Sequence, residues 1–176
     1  MSFRNKSQAR TLALQALCLY DALGDSFATQ VLAFLRDPEN LQDVGVAQQL
    51  SDDLLGFAAG LANGAWMKRG EYDPMLEAAA PDWAIKRMPP VDRNILRLGL
   101  HEWLTHPDTP FSVIVNEAIE LARRFGGNDS PKFINGVLDG IRRKQAQPAT
   151  PDQPDPQPST QSQNADDPLG QVPPAS

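Results

Sequence analysis

The sequence predicts an all-α protein, a compact bundle of six to seven helices followed by a disordered C-terminal tail. Apolar residues recur at spacings of three and four along most of the chain, and no run of alternating apolar and polar residues marks a strand. From Gln147 onward the chain holds eight of its sixteen prolines and no aromatic residue, so this segment cannot bury enough apolar surface to offset its ordering entropy. We therefore expect a helical domain over residues 1–145 and a disordered tail rich in Pro, Gln and Asp over residues 146–176.

Residues that begin or end helices set the boundaries in the first half of the chain. Gly24 ends the first helix, Ser26 caps the second, and Pro38 stops it. Along the third helix three glycines, from Gly56 to Gly64, lie four residues apart on one face, a spacing that lets another helix approach closely. The predicted ranges of the second, third and fourth helices are 26–36, 44–68 and 74–80.

The second half of the chain carries clearer boundaries. A strongly apolar segment opens with two prolines and ends at His106, which suits a central helix. The following helix is closed by Gly126. Ser130 is the expected cap of the last helix, and Pro131 suits its first turn. The predicted ranges of these three helices are 89–104, 111–125 and 130–144.

The formal net charge of −6 is distributed unevenly along the chain. The tail carries four aspartates and no Lys or Arg, which leaves 18 acids against 16 bases in the remainder. Residues 1–20 have a local charge of +3 and residues 123–144 one of +4, so the two ends of the helical domain are basic and its middle is acidic. Nucleic-acid binding follows local potential and not net charge. Charge alone leaves open a solvated surface with no such partner.

The sequence offers no positive sign of catalysis, a cofactor or a metal. It contains neither a Walker-type phosphate loop nor a GxGxxG motif. His101 and Glu102 begin like a zinc-protease motif, but Thr105 stands where the second histidine is required. Cys18 is the only cysteine, which excludes an intrachain disulfide and fits a reducing compartment. With no long apolar run and no signal-peptide core, we expect a soluble cytoplasmic protein that is not an enzyme.

Three blocks of sequence, in order, resemble the NusB family. VNEAIELARRFGGNDSPKFINGVLDGI, residues 115–141, closely resembles the signature in which an Asn-Glu-Ala helix ending in Phe-Gly is followed by a Ser-x-x-Phe-[Ile/Val]-Asn-Gly-Val-Leu-Asp helix. DRNILRLGLHEW, residues 92–103, is similar to the central helix of the family, and ARTLALQAL, residues 9–17, is similar to its first helix. The resemblance extends over about residues 4–143, which is the whole predicted domain.

The resemblance implies a fold of two packed helical bundles and a role in transcription antitermination. Members of the family bind the boxA element of ribosomal RNA operon leaders together with NusE, a small-subunit ribosomal protein, within an RNA polymerase complex. An alternative is a helical protein–protein adaptor with the same fold and weak or lost RNA binding. The thin basic run near the N-terminus favours that alternative, because Asn5, Ser7 and Gln8 separate the cationic residues. A homodimer that covers the RNA surface also stays open.

The resemblance and the residue chemistry together suggest an RNA-binding surface. Cationic side chains bind RNA phosphates, and aromatic faces stack on unpaired bases. We expect the starts of the first and last helices to lie side by side and to form one such surface. An acid next to the last helix would lie near the RNA and weaken phosphate binding. The candidate residues are Arg4, Lys6 and Arg10 on the first helix, Lys132 and Phe133 on the last, and Asp129 just before it.

The resemblance also suggests where the protein partner binds. The family uses the central helix against NusE, which is basic, so an acidic partner surface would complement it. Asp92 at the start of that helix and Glu102 near its end are the candidate contacts. A solvated helix face explains the same two residues equally well.

Overall fold

The computed structural model of the protein describes residues 3–43, 45 and 50–146, with side chains described from Asn5 onward. Two expectations fall outside this part of the chain. The side chain of Arg4 is one of them. The other is the predicted tail over residues 146–176, of which only Ala146 is described, as the last residue of a helix.

The described residues form eight α-helices and two short 3₁₀ helices and contain no strand, which confirms the all-α prediction. The helix count exceeds the predicted six to seven because residues 24–43 divide into three short elements. None of the described helices is both long and apolar enough to cross a membrane. The α-helices are α1 (Phe3–Leu23), α2 (Val31–Arg36), α3 (Pro38–Asp43), α4 (Asp52–Met67), α5 (Arg69–Ala79), α6 (Pro90–Thr105), α7 (Phe111–Phe125) and α8 (Ser130–Ala146); the 3₁₀ helices are Gly24–Thr29 and Ile85–Arg87.

Helix α6 is the central element, as its sequence predicts. Its first helical residue is Pro90, where the missing N–H costs no helical hydrogen bond. It packs against α1, α4, α5, α7 and α8, so apolar residues on every side of it are buried. Ile95, Leu96 and Leu100 are fully enclosed. Every other long helix is therefore positioned by its contact with α6.

The predicted helix over residues 26–36 is wrong in its first half. Residues Gly24–Thr29 form a 3₁₀ helix, and the α-helix begins only at Val31. The aromatic ring of Phe27 is buried edge-on against Tyr20, with ring centroids 5.1 Å apart, and this contact draws the chain tightly around the end of α1. The hydroxyl of Ser26 donates to the carbonyl of Leu23, so Ser26 closes that turn instead of capping a helix.

Helices α4 and α5 also depart from their predicted bounds. Ser51 caps α4, because its hydroxyl accepts the N–H of Leu54. Two aspartates in the first turn stabilise the helix further, because their negative charges interact favourably with the positive end of its dipole. The predicted start at Val44 lies outside the described residues. Helix α5 is longer than predicted and continues through Pro74, which lies in its second turn.

Only one of the three glycines in α4 serves close packing. A Cβ atom on Gly64 would lie 2.1 Å from Nε2 of His101, whereas a Cβ on Gly56 or Gly60 would meet nothing within 4 Å. The His101 ring is buried here, and its Nδ1 lies 2.9 Å from the Tyr72 hydroxyl. Gly64 therefore admits the His101 ring between α4 and α6.

Charged pairs hold α1, α5 and α6 together on another side of α6. The Arg97 guanidinium donates to Asp73 at 2.8 and 2.7 Å and lies 3.2 Å from Asp21, while Arg93 also pairs with Asp21. Burial lowers the pKa of Arg97, but its hydrogen bonds and charge interactions with the two aspartates outweigh that effect and raise it. These pairs are structural, since Arg97 is almost fully buried.

Candidate nucleic-acid interface

The start of α8 presents the predicted cation and aromatic residue at the surface. Lys132 is exposed and Phe133 is half-buried in the first turn of α8, while Asp129 is exposed just before it. All three line an open cleft of about 500 Å³. The opposite wall is the segment that follows α5. The remaining lining residues are Ala79, Ala80, Pro81, Asp82, Trp83, Gly136 and Val137.

Hydrogen bonds fix the turn that leads into α8. The Ser130 hydroxyl donates to Oδ2 of Asp92 at 2.8 Å and accepts the N–H of Gly127 at 2.9 Å. A Cβ atom on Gly126 would lie 2.7 Å from the Ser130 side chain, so glycine is needed there. The turn is thereby attached to the first turn of α6, and the cleft residues have a rigid support.

Trp83 is a cleft residue that the sequence analysis did not identify. It lies between α5 and α6 and is 48% exposed, and its ring centroid is 5.9 Å from that of Phe133 with an angle of 55° between the rings. Trp83 and Phe133 are far apart in sequence, so their contact could not be predicted from the sequence pattern. The available signal was a tryptophan in a segment between two helices, outside any helical apolar pattern.

The start of α1 differs from the expected open basic surface. Lys6 is half-buried, and its amine lies 5.6 Å from the ring centroid of Phe57, within cation–π range. Lys6 also lines a depression of about 170 Å³ beside Asp108 and Thr109, which precede α7. Lys6 is therefore partly covered and does not extend freely into solvent.

Arg10 is buried in an ion cluster and is not exposed to RNA in this structure. Its Nε and Nη2 atoms donate to the Glu102 carboxylate at 2.8 and 2.5 Å, and Nη1 lies 3.4 Å from Glu117. Arg10 and Glu102 are 3% and 2% exposed. Burial lowers the pKa of Arg10, but the hydrogen bonds and charges of the two glutamates outweigh it and raise the pKa. The Arg10 charge therefore joins α1 to α6 and α7.

The contacts that attach α1 and α8 to α6 lie near different ends of α6. Arg10, the eighth residue of α1, binds Glu102 near the C-terminal end of α6, and Ser130, the first residue of α8, binds Asp92 near its N-terminal end. The two anchors are ten residues apart, about 15 Å along the axis of α6. That the starts of α1 and α8 form one surface stays a prediction. Exposed Arg124 lies between the two regions, because it belongs to the last turn of α7 and its Nη1 is 3.5 Å from the Thr11 hydroxyl.

The two candidate residues for partner binding are both inside the protein. Asp92 is 5% exposed and accepts the Ser130 hydroxyl, while Glu102 is occupied by Arg10. Neither carboxylate is available to a partner in this structure. The sequence shows that both are acidic but not that a hydroxyl and a guanidinium from distant segments cover them.

The other chemically active side chains are occupied by packing. The Cys18 thiol has a raised pKa, chiefly because it is buried, and it accepts a weak hydrogen bond from the Asn94 amide at 3.7 Å. The His106 ring packs edge-on against Phe57. Among the described residues, no group of three or more His, Cys, Asp or Glu side chains is arranged to hold a metal ion.

Comparison with known proteins agrees with these observations. A family model described as "NusB family" matches residues 7–143. The chain is 43% identical over 138 residues to the "Transcription antitermination protein NusB" of Geotalea uraniireducens, covering 78% of this chain and 93% of the relative. It is 39% identical over 138 residues to the protein of that name from Desulforapulum autotrophicum, covering 78% of this chain and 91% of the relative.

Solved structures share the fold. A structure of T. maritima NusB superposes with a TM-score of 0.65 at 27% identity, covering 79% of this chain and 91% of that one. A structure of antitermination factors NusB and NusE in complex with dsRNA gives a TM-score of 0.65 at 23% identity, covering 81% of this chain and 99% of that one, and at this identity it shows the fold alone. The sequence relatives, the family match and the shared helical fold together establish that the chain belongs to the NusB family.

Proposed function

We propose that this protein is a transcription antitermination factor that binds boxA-type RNA of ribosomal RNA operon leaders together with ribosomal protein NusE, as a regulatory and not a catalytic component. Its relatives carry that role in their names, and one family structure holds NusB with NusE and dsRNA. The single observation that carries the RNA part is the pairing of exposed Lys132 with Phe133 on a rigidly held helix start.

The α8 start has the chemistry that single-stranded RNA requires. The Lys132 ammonium neutralises a phosphate, the Phe133 ring stacks on an unpaired base, and the positive end of the α8 dipole adds to the attraction for a phosphate. Exposed Asp129 repels a phosphate that approaches from the loop side. RNA is therefore directed toward Lys132 and away from the α7–α8 turn.

The start of α1 provides a second, separate set of phosphate contacts. Lys6 belongs to it, and Arg124 lies on the way from it to α8. Arg4, whose side chain lies outside the described residues, is assigned to it from the sequence alone. Arg10 supports this surface from beneath and does not contact the RNA.

Binding of NusE depends on α6 and its attachments. Asp92 and Glu102 contribute indirectly, because they hold the α8 turn and α1 against α6. The alternative is a protein–protein adaptor with weak RNA binding. The names of the relatives and the family structure with NusE and dsRNA do not favour it, although glutamates already neutralise Arg10, one of the three expected N-terminal cations.

Fluorescence anisotropy of a labelled boxA-type RNA tests the proposal, with and without purified NusE, at two salt concentrations and against a scrambled RNA. We expect binding that NusE tightens and salt weakens. The double variant Lys132→Ala/Phe133→Ala should lose most of that binding. The matched control is Leu32→Ala/Arg36→Ala, which removes an exposed apolar residue and an exposed cation from α2.

Two results would decide against RNA binding at α8. Equal loss in the Leu32→Ala/Arg36→Ala control would mean that the α8 start has no particular role. Normal NusE binding without any RNA affinity, in a folded helical protein, would instead establish the adaptor.

A further inference from the structure

We propose that Trp83 is a second base-binding residue and that the cleft between residues 79–83 and α8 accepts one unpaired nucleobase that carries an exocyclic amino group. The inference rests on the proposed function and deepens it, because it adds a wall and a base preference to the α8 site. It depends on three features of the cleft: an exposed tryptophan, a glycine with open space beside it, and two carboxylates at the rim.

Trp83 is exposed although the segment around it is well packed. Its neighbours Ile85 and Met88 are buried, and the Ile85 N–H donates to the Glu77 carboxylate at 2.8 Å. The fold of the segment is thus secured without Trp83, whose ring is 48% exposed. A large aromatic ring held at the surface beside a second ring is typical of a site that stacks on bases.

The rings of Trp83 and Phe133 set how a base can enter. Their centroids are 5.9 Å apart and their planes are tilted by 55°, so the rings already touch. A base therefore does not insert between them. It lies in the cleft beside them, stacked on one ring with the other ring against its edge.

Gly136 keeps the floor of this cleft open. It lies on α8 one turn after Phe133 and lines the cleft, yet a Cβ atom there would meet nothing within 4 Å. Close packing against another helix therefore does not explain this glycine, which weakens the middle of a helix relative to alanine. A side chain at position 136 would extend into the space that a base requires.

The polar groups at the rim favour a base over a phosphate. Asp82 and Asp129 are exposed and line the cleft, where their carboxylates repel phosphate and accept hydrogen bonds. Cytosine, adenine and guanine each carry an exocyclic amino group that donates hydrogen bonds, whereas uracil has none. Lys132 on the same rim remains free to bind the phosphate attached to that base.

Indole N–H signals of ¹⁵N-labelled full-length protein report directly on the cleft during titration with boxA-type RNA. The chain has three tryptophans. The Trp66 indole donates to Asp25 at the C-terminal end of α4 and serves as the internal reference. The Trp103 ring packs on Phe111, next to the depression that Lys6 lines, so it is not a reference. We expect the Trp83 signal to shift as RNA binds and the Trp66 signal to stay in place.

Variants test the same cleft by affinity, with circular dichroism to check folding. Trp83→Ala should weaken RNA binding about fivefold or more, the loss expected of one stacked base, and Trp83→Phe should recover most of it. Gly136→Leu should weaken binding while raising the thermal midpoint, because it fills the cleft and improves the helix. Met67→Ala, an exposed apolar residue at the end of α4, is the matched control.

Base preference is read from RNAs in which each position is changed in turn to uracil. One cytosine, adenine or guanine should matter to the wild type and lose its effect in Trp83→Ala. RNA binding with an unmoved Trp83 signal and unchanged Trp83→Ala affinity would overturn this inference and leave the proposed function intact. Lower affinity of Trp83→Ala for NusE alone would assign the cleft to protein and also overturn it. Absence of any RNA binding by the wild type would remove both proposals.

Discussion

The two ends of α6 use charged residues in opposite ways. At the C-terminal end, Glu102 and the Arg10 guanidinium are enclosed against each other, and the His101 ring fills the space left by Gly64. At the N-terminal end, Asp92 is buried under the α7–α8 turn, but Lys132 above it is exposed beside an open cleft. A cation near the start of a helix thus stabilises the fold at one end and faces solvent at the other.

What decides between these roles is the residue packed opposite the cation. Arg10 meets two glutamates and is desolvated, so its charge is committed to α6 and α7. Lys132 lines an open cleft whose two carboxylates, Asp82 and Asp129, are exposed and not enclosed with it, so its charge stays available to a ligand. The comparison predicts that substitutions at the C-terminal end of α6 change the stability of the fold. Substitutions near its N-terminal end should change RNA affinity.

Removal of the Arg10 side chain should have the largest effect. Arg10→Ala leaves Glu102 buried without its partner, which should lower the free energy of unfolding by about 3–5 kcal/mol. Urea denaturation measures this change. Arg36→Ala is the matched control, because its pair with Asp52 is exposed and should contribute about 0–1 kcal/mol. A stable Arg10→Ala protein with lost RNA affinity would return Arg10 to the RNA surface and break the comparison.

The sequence predicts the frame of this molecule better than its charged contacts. Prolines and glycines mark the ends of α6, α7 and the start of α8, because these residues act on the backbone locally. The turn over Gly24–Thr29 was missed since it depends on Phe27 packing against a ring on α1.

The same distinction explains the errors at the site. Lys132, Phe133 and Asp129 were predicted as surface residues, and the α8 turn that presents them is local in sequence. The burial of Arg10 depends on a glutamate 92 residues away, and the Trp83–Phe133 contact joins two separate segments. Such tertiary pairings leave no periodic pattern in one sequence.

The second prediction concerns the packing of His101 near the C-terminal end of α6. Gly64→Ala places a methyl group 2.1 Å from the His101 ring and should destabilise the protein by about 1–3 kcal/mol. Gly60→Ala on the same helix has open space around it and should stabilise by about 0.5–1 kcal/mol. Thermal unfolding of the two variants measures the difference. Two equal shifts would contradict the close approach of His101 to α4.

Loss of the Phe133 ring should lower RNA affinity and leave the stability of the fold unchanged. Phe133→Ala should reduce RNA affinity by ~1–3 kcal/mol if the ring stacks on one base. Anisotropy titration measures this loss, and urea denaturation of the same variant checks that the domain is intact. Unchanged affinity in a folded protein would remove Phe133 from the site, and a large loss of stability would make it a core residue instead.

Low pH should destabilise the fold by protonating His101 near the C-terminal end of α6. Burial lowers the pKa of this histidine, with further lowering by His106 and Lys68 that Glu102 and a hydrogen bond to Gly60 only partly offset. The stability that neutral His101 contributes is complete above its ordinary pKa near 6.5 and is lost as the pH falls from there toward the lowered value. Urea denaturation between pH 7.5 and 5 should show this loss, and His101→Asn should show less of it. An identical pH dependence in the variant would place the effect elsewhere.

The smallest effect belongs to the single charge of Lys132. Lys132→Ala should lower the salt slope of RNA binding by about 0.7 if this ammonium neutralises one phosphate of a single strand. Between 50 and 200 mM salt that change alters the affinity ratio by only about two- to threefold, so titrations at four or more salt concentrations are needed. Arg143→Ala, an exposed cation near the other end of α8, should leave the slope unchanged. If both variants lower the slope equally, RNA binding follows the general basic charge of α8, and the start of that helix loses its distinction from the rest.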